Sequence, residues 1–144
     1  MGGRATVASM PLDPRDPALS DFWAERHLCT LTTLRPDGSP HVVPVGVTFD
    51  AERMLARVIT GGGSQKVRNL EHAAADRDTA ATRVAACQID GRRWSTLEGT
   101  ARVSRDPDEI AEAVARYAQR YRQPRVNPER VVLLIDVTRV LGSL

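Results

Sequence analysis

Apolar and β-branched residues recur in six runs along the chain, and turn chemistry bounds most of them. "LCTLTTLR" and "HVVPVGVTF" flank "PDGSP", whose Asp37-Gly38 is the strongest short-range hairpin signal present. "MLARVIT" follows the turn at "FDAER" and runs into three glycines. "VAACQI" and "WSTLEGTARV" repeat the arrangement around a second Asp-Gly, Asp90-Gly91, and "RVVLLIDVTRVLGSL" closes the chain. Pro44 interrupts the second run and points to an edge strand or a bulge, because proline cannot donate to a ladder.

Three segments read as helices. "SDFWAERH" has Ser20 as its N-cap, with Phe22 and Trp23 to dock it. A second runs from about Ser64 to His72, and the Ala-rich "AAADRDTAATR" after it reads as helix tail and loop. The third, "DPDEIAEAVARYAQRYR", has Asp106 as cap, Pro107 at its first position, acids in its first turn and arginines in its last. Its apolar stripe is Ile110, Val114, Tyr117 and Tyr121. With no βαβ alternation, the pattern predicts a mainly β chain, an antiparallel barrel with helices packed outside.

Composition narrows the class. A chain of 144 residues with 42% hydrophobic and 4% aromatic content is one domain with an aliphatic core. It divides into a flexible arm over 1–17, rich in prolines, and a domain over 18–144. That is small for enclosing a large ligand alone, and a pocket shared between two chains solves the problem. The net charge of +2 gives no basis for nucleic acid. With neither a signal-type segment nor about 18 consecutive apolar residues, the chain reads as cytoplasmic and not membrane-bound. Cys29 and Cys87 lie in apolar runs and read as buried free thiols. His27, His41 and His72 form no metal spacing and no triad can be placed, so no metal is expected. His41 stands out because it enters the Pro44 strand, where a barrel mouth could lie.

"RVITGGGSQK" carries the one distinctive chemical signal. Lys66 is the only lysine among 20 basic residues, and it follows the glycines at the head of a helix. Free N–H groups of a glycine nest and a helix N-terminus beside one ammonium suit an anion, and a flexible turn with a solvated lysine is the alternative. Walker and Gly-x-Gly-x-x-Gly spacings are absent. On the strand before it Arg57 and Ile59 share one face and Val58 and Thr60 the other, so Arg57 reads as a rim residue. Arg116, Arg120, Arg122, Arg125 and Arg130 form a basic run around Tyr117 and Tyr121 that could meet RNA or an acidic ligand tail, though such a run is more often a helix end satisfying its dipole. Trp94 follows a hairpin turn as a barrel plug or a ring-stacking wall.

Together "ERHLCTLTTLRPDGSPHVVPVGVTFD", "ARVITGGGSQKVRNL", "CQIDGRRWSTLEGTARV" and "RYAQRYRQPRVNPERVVLLIDVTRVLGS" resemble the pyridoxamine 5′-phosphate oxidase-like split-barrel flavoproteins. Within them the likeness is to the deazaflavin branch that uses coenzyme F-420, nearest to the F-420-dependent biliverdin reductases. The resemblance implies a six-stranded split barrel with flanking helices, a homodimer with cofactor clefts at its interface, and a small-molecule substrate. It implies that Arg57, Val58, Ile59 and Thr60 line the cofactor, that Ser64, Gln65 and Lys66 bind its phosphate with help from Asn69, and that Pro44 and Val45 lie against the deazaflavin. Trp94 with Gln88 would approach from the second subunit. The implied activity is hydride transfer from reduced F-420 to a conjugated acceptor, with biliverdin the leading candidate. An FMN-using oxidase, or a module that holds FMN, F-420 or a tetrapyrrole without turnover, are the alternatives. The typical C-terminal Arg-Leu-Pro of the oxidases is absent, which counts against FMN oxidase activity, and residues 71–82 read as an insertion.

Overall fold

The computed structural model describes residues 11–144, and local chemistry explains where their elements begin and end. Helix α1 (Pro17–Ala24) starts earlier than a Ser20 cap would give, because Asp16 accepts from the Ala18 N–H at 2.9 Å and Pro17 follows in the first turn. The residues just before it, expected within a flexible arm, are held. The Leu12 N–H donates to the Val140 carbonyl at 2.7 Å, Pro11 bridges Leu141, and the Leu12 side chain packs on the core. The rest of that arm, residues 1–10, lies outside the described residues.

Strands β1 (Cys29–Leu34) and β2 (Pro40–Val45) form the expected hairpin, in which the Gly38 N–H closes on the Arg35 carbonyl at 2.8 Å. The run "HVVPVGVTF" is not one strand. It breaks at Gly46 and Val47, and β3 (Thr48–Asp50) begins beyond them. Then come β4 (Leu55–Gly61), α2 (Gln65–Ala75), β5 (Arg83–Asp90), β6 (Arg93–Ser104), α3 (Pro107–Arg120) and β7 (Arg130–Ser143). Asp106 caps α3 as its sequence predicts, accepting from the Asp108 N–H at 3.1 Å.

The strands form one antiparallel sheet in the order β2-β1-β5-β6-β7-β4-β3, seven strands where six were expected. The extra strand is the broken run, and its two halves lie on opposite edges of the sheet. Gly46 and Val47 alone join those edges, and two linking residues reach only about 10 Å, so the sheet must curl until its edges approach. The result is a barrel left unclosed by hydrogen bonds. Pro44 is tolerated because β2 is an edge, and it pairs with Thr30 in unbroken register, so it makes no bulge. The register shift falls instead at Glu98/Gly99, where a Cβ on Gly99 would stand 2.0 Å from the Asp136 carbonyl oxygen.

Inside the curl, Leu31, Val47, Val58, Ala86, Leu97, Leu133 and Ile135 are buried, and α1 and α2 plug the interior with Leu19, Phe22, Trp23, Val67 and Leu70. Outside it, α3 covers β4 and β7, with Ala113 and Ile110 on Leu55, Ile59, Val132 and Leu134. Cys29 is buried and Cys87 partly so, and both are free.

Arg120 and Tyr121, at the end of α3, stitch the seam where the edges meet. Arg120 donates from Nε (3.0 Å) and Nη2 (2.8 Å) to the Glu25 carbonyl, from Nη1 to the Val47 carbonyl, and from Nη2 to Gln88 Oε1. The Tyr121 hydroxyl donates to the His27 carbonyl at 2.7 Å and accepts from the Val47 N–H at 3.2 Å. Nearby, the Glu25 carboxylate accepts twice from Arg93, at 2.9 and 2.8 Å, and lies 2.9 Å from His27 Nε2. The Arg93 hydrogen bonds, then His27, hold its carboxyl at about 2, which fastens the end of α1 to the β5–β6 hairpin.

Removing the Arg120 guanidinium leaves buried carbonyl oxygens unpaired. Arg120→Ala is expected to cost about 3 kcal/mol or more in urea unfolding followed by circular dichroism. Arg120→Lys should recover less than half of that, since one ammonium cannot reproduce the planar fork. A loss below about 1 kcal/mol would show that the seam does not depend on this group.

Candidate functional site

An open cleft of about 310 Å³ lies where β2 approaches the end of β4. Pro44, Val45 and Gly46 form one side, Ile59, Thr60, Gly61 and Lys66 the other, and Tyr117, Pro124, Asn127 and Arg130 the third. The local sequence explains the shape. β2 ends at the Gly46 break, and a Cβ there would stand 2.7 Å from Cε2 of Tyr117, so glycine lets the tyrosine ring close on the backbone. Asp and Glu are absent from the lining.

At one end, β4 turns through Gly61–Gly63 into α2. The three glycines do not form a nest, since none of them has positive φ. Gly62 instead donates its N–H to the Glu129 carbonyl at 2.8 Å, which ties this turn to the segment before β7. The helix N-terminus carries the anion chemistry. Ser64 stands at the N-cap, yet its side chain makes no capping bond, and its Oγ accepts from Thr60 Oγ1 at 3.3 Å. The first-turn N–H groups of α2 therefore keep no intrahelical or side-chain partner. Lys66 is half-buried beside them, has no ion pair among the described residues, and burial holds its ammonium below the usual lysine range. Positive potential, free donors and an acid-free wall make this a place for an anionic group.

The structure gathers Pro44, Val45, Ile59, Thr60 and Lys66 in the cleft, with Ser64 and Gln65 at the helix start beside it. Gln65 donates to Asn69 Oδ1 at 2.7 Å, and Asn69, 2% exposed, donates to Thr33 Oγ1 at 2.9 Å. Asn69 thus positions Gln65 from within the core. Val58 is buried in the barrel interior. Arg57, expected to line the cofactor, instead lies under α3, because strand alternation puts it on the outer face of β4 with Leu55 and Ile59. It is 6% exposed, its Nη1 is unpaired, and burial lowers its pKa first, Arg116 second.

Gln88, implied to approach from a second subunit, is fully buried within its own. It faces the interior, donates to the Phe22 carbonyl at 2.7 Å and accepts from Arg120. Trp94 points to the opposite, outer face, away from this cleft. His41 pairs with Thr33 on β1, its Nδ1 is buried and unpartnered, and burial, then Arg35 and Lys66, lowers its pKa. Pro124 and Asn127 were not singled out by the sequence, and Tyr117 and Arg130 were singled out only within the basic run and not as walls of this cleft. Their signal was the basic run, but Tyr117 read as core because it falls on the apolar stripe of α3.

The profile of the pyridoxamine 5′-phosphate oxidase family matches residues 16–143, which span every helix and strand. The chain belongs to this family. Among its relatives, an F-420H(2)-dependent biliverdin reductase of Mycobacterium tuberculosis is 56% identical over 128 residues, 89% of this chain and 87% of that one. A solved conserved hypothetical protein of the same organism superposes with a TM-score of 0.72 at 23% identity, covering 94% of this chain and 86% of its own. A solved F-420 reductase gives 0.64 at 23% identity over 84% of this chain and 94% of its own. At that identity the likeness to these two solved structures is one of fold alone.

Lys66→Ala removes the one ammonium from the cleft and leaves the apolar core untouched. Titrated with F-420 and with FMN, the variant should bind the better of the two about ten- to a hundredfold more weakly, with its thermal midpoint close to wild type. Unchanged affinity would assign the anion to other groups.

Proposed function

We propose that the chain is an F-420-dependent reductase that passes a hydride from the reduced deazaflavin to a conjugated acceptor, with biliverdin the leading candidate. The observation that carries this reading is the acid-free cleft between β2 and β4, with Lys66 and an uncapped helix N-terminus at one end, in a chain 56% identical to a biliverdin reductase of that cofactor type. When bound, the deazaflavin supplies the hydride at its C5. The residues of this chain do the holding. The first turn of α2 and Lys66 take the phosphodiester, with Ser64 and Gln65 beside it. Pro44, Val45 and Ile59 give the ring an apolar wall that excludes water, and Thr60 closes the phosphate side.

A homodimer belongs to the same reading. The outer face of β2, β1, β5 and β6 has no helix over it, and carries Thr30, Thr32, Val42, Ala85, Ile89 and Trp94 in cross-strand register. Ile89 is 64% exposed and Val42 56%, unusual for side chains of that size. Pro44 stands on both this face and the cleft. A second copy seated there would wall the open side and bring its Trp94 toward the ring. No described helix is long and apolar enough to cross a membrane, and a cytoplasmic enzyme is consistent with that.

The decisive experiment mixes the protein with reduced F-420 and biliverdin and follows both absorbances. The oxidised cofactor's band should return at the rate at which biliverdin is lost, and a nicotinamide donor should give neither signal. Tight binding of F-420 without turnover would make the chain a cofactor carrier, and preference for FMN over F-420 would overturn the cofactor. Light scattering at micromolar protein should give the dimer mass, and Thr32→Arg, at the centre of the uncovered face, should give a monomer with weakened F-420 binding.

A further inference from the structure

Past Tyr117 and Pro124 the cleft continues into a second hollow of about 300 Å³, lined by those two residues with Arg122, Gln123 and Arg125. Lys66 belongs only to the first hollow, and Arg122 and Arg125 only to the second. Acidic side chains are absent from both linings. Neither Arg122 nor Arg125 makes a side-chain hydrogen bond or an ion pair among the described residues, a state they share with Arg26, Arg77, Arg83 and Arg92, and they alone of these stand together on the wall of one acid-free hollow.

The segment that presents these two arginines is braced. Tyr121 anchors its start through the His27 carbonyl. Arg130 Nη2 donates to the Arg125 carbonyl at 2.5 Å, the Glu129 N–H donates to Asn127 Oδ1 at 3.0 Å, and the Gly62 N–H reaches the Glu129 carbonyl. Pro124 and Pro128 restrict it further. The backbone that carries both guanidinium groups is thus fixed relative to the glycine turn and the first hollow.

We propose that Arg122 and Arg125 form a carboxylate-recognition subsite for the acceptor, gripping its acidic side chains while its conjugated system rests over Tyr117 toward the first hollow. The proposal rests on the reading that the first hollow holds the deazaflavin. A guanidinium matches a carboxylate with two parallel N–H donors, and two arginines suit a ligand with two carboxylates. An acidic tail on the cofactor offers the same chemistry. The acceptor is the better occupant because the phosphate end of the cofactor is taken at Lys66, and Tyr117 and Pro124 separate that end from the arginines.

The test compares wild type with the double variant Arg122→Gln/Arg125→Gln, both saturated with oxidised F-420. Biliverdin, which carries two propionates, and its dimethyl ester, which carries none free, are titrated by absorbance. F-420 affinity is read separately by fluorescence polarisation. Wild type should bind the diacid about ten- to a hundredfold more tightly than the diester, the double variant should lose that preference, and its F-420 affinity should stay within about twofold. Equal binding of diacid and diester by wild type, no binding of the diacid, or an intact preference in the variant would overturn the subsite. A loss of F-420 affinity of about tenfold or more in the variant would overturn it in favour of the cofactor's tail. Wild type that fails to bind F-420 at all would overturn the cofactor reading and the proposal with it, and the polarisation signal identifies that case.

Discussion

A buried guanidinium without a carboxylate partner among the described residues holds this fold together. Arg120 is 9% exposed, and carbonyl and amide oxygens from α1, the β2–β3 link and β5 satisfy it, while Trp23 and Tyr121 lie about its flat faces at 5.4 and 5.1 Å. A charge is costly to bury unless its donors are used, and here every arm of the fork has an acceptor. The constraint follows from topology. The chain crosses from one edge of the sheet to the other through Gly46 and Val47, so the backbone groups of that link cannot join either ladder in the ordinary way. Arg120 and Tyr121 supply the missing partners, taking the Val47 carbonyl and N–H between them.

Closing the seam is also what builds the cleft. Pro44 and Val45 are distant in the sheet order from Ile59 and Thr60, and only the curl brings them face to face. The residues before and after Arg120 then serve the site directly. Tyr117 lies one turn earlier and packs its ring 4.9 Å from that of Tyr121, closing the cleft over Gly46. The basic segment follows at once. Fold and cleft therefore share one stretch at the end of α3, with Tyr117 on the cleft and Arg120 and Tyr121, up to one turn later, on the seam.

The two hollows carry basic side chains and no acidic ones in their linings. Elsewhere some arginines are neutralised locally, as Arg93 is by Glu25 and Asp90, or Arg105 by Glu71 at 2.6 Å, while Arg26, Arg77, Arg83 and Arg92 meet no carboxylate among the described residues. Along the cleft, Lys66, Arg122 and Arg125 have no such partner among the described residues and no acidic side chain lines either hollow, so positive charge faces both without local compensation.

The sequence by itself determined the elements whose cause is local. Asp37-Gly38, Asp106-Pro107 and the run into Gly61–Gly63 each fix a turn or a helix start through chemistry within a few residues, and the solitary Lys66 at the head of α2 lies on the wall of the cleft. The family likeness was legible from motif content across most of the chain. What only tertiary structure decided was which side of each strand met what. The break at Gly46–Val47 sends the halves of one apolar run to opposite edges, a long-range outcome that no local period encodes. The family likeness implied site roles for Arg57 and Gln88, and only the tertiary structure shows that α3 covers the first and Arg120 donates to the second, because burial depends on which helix lands on which face. Tyr117 went the other way: its apolar spacing marked it as core, and the curl of the sheet made it a wall of the cleft.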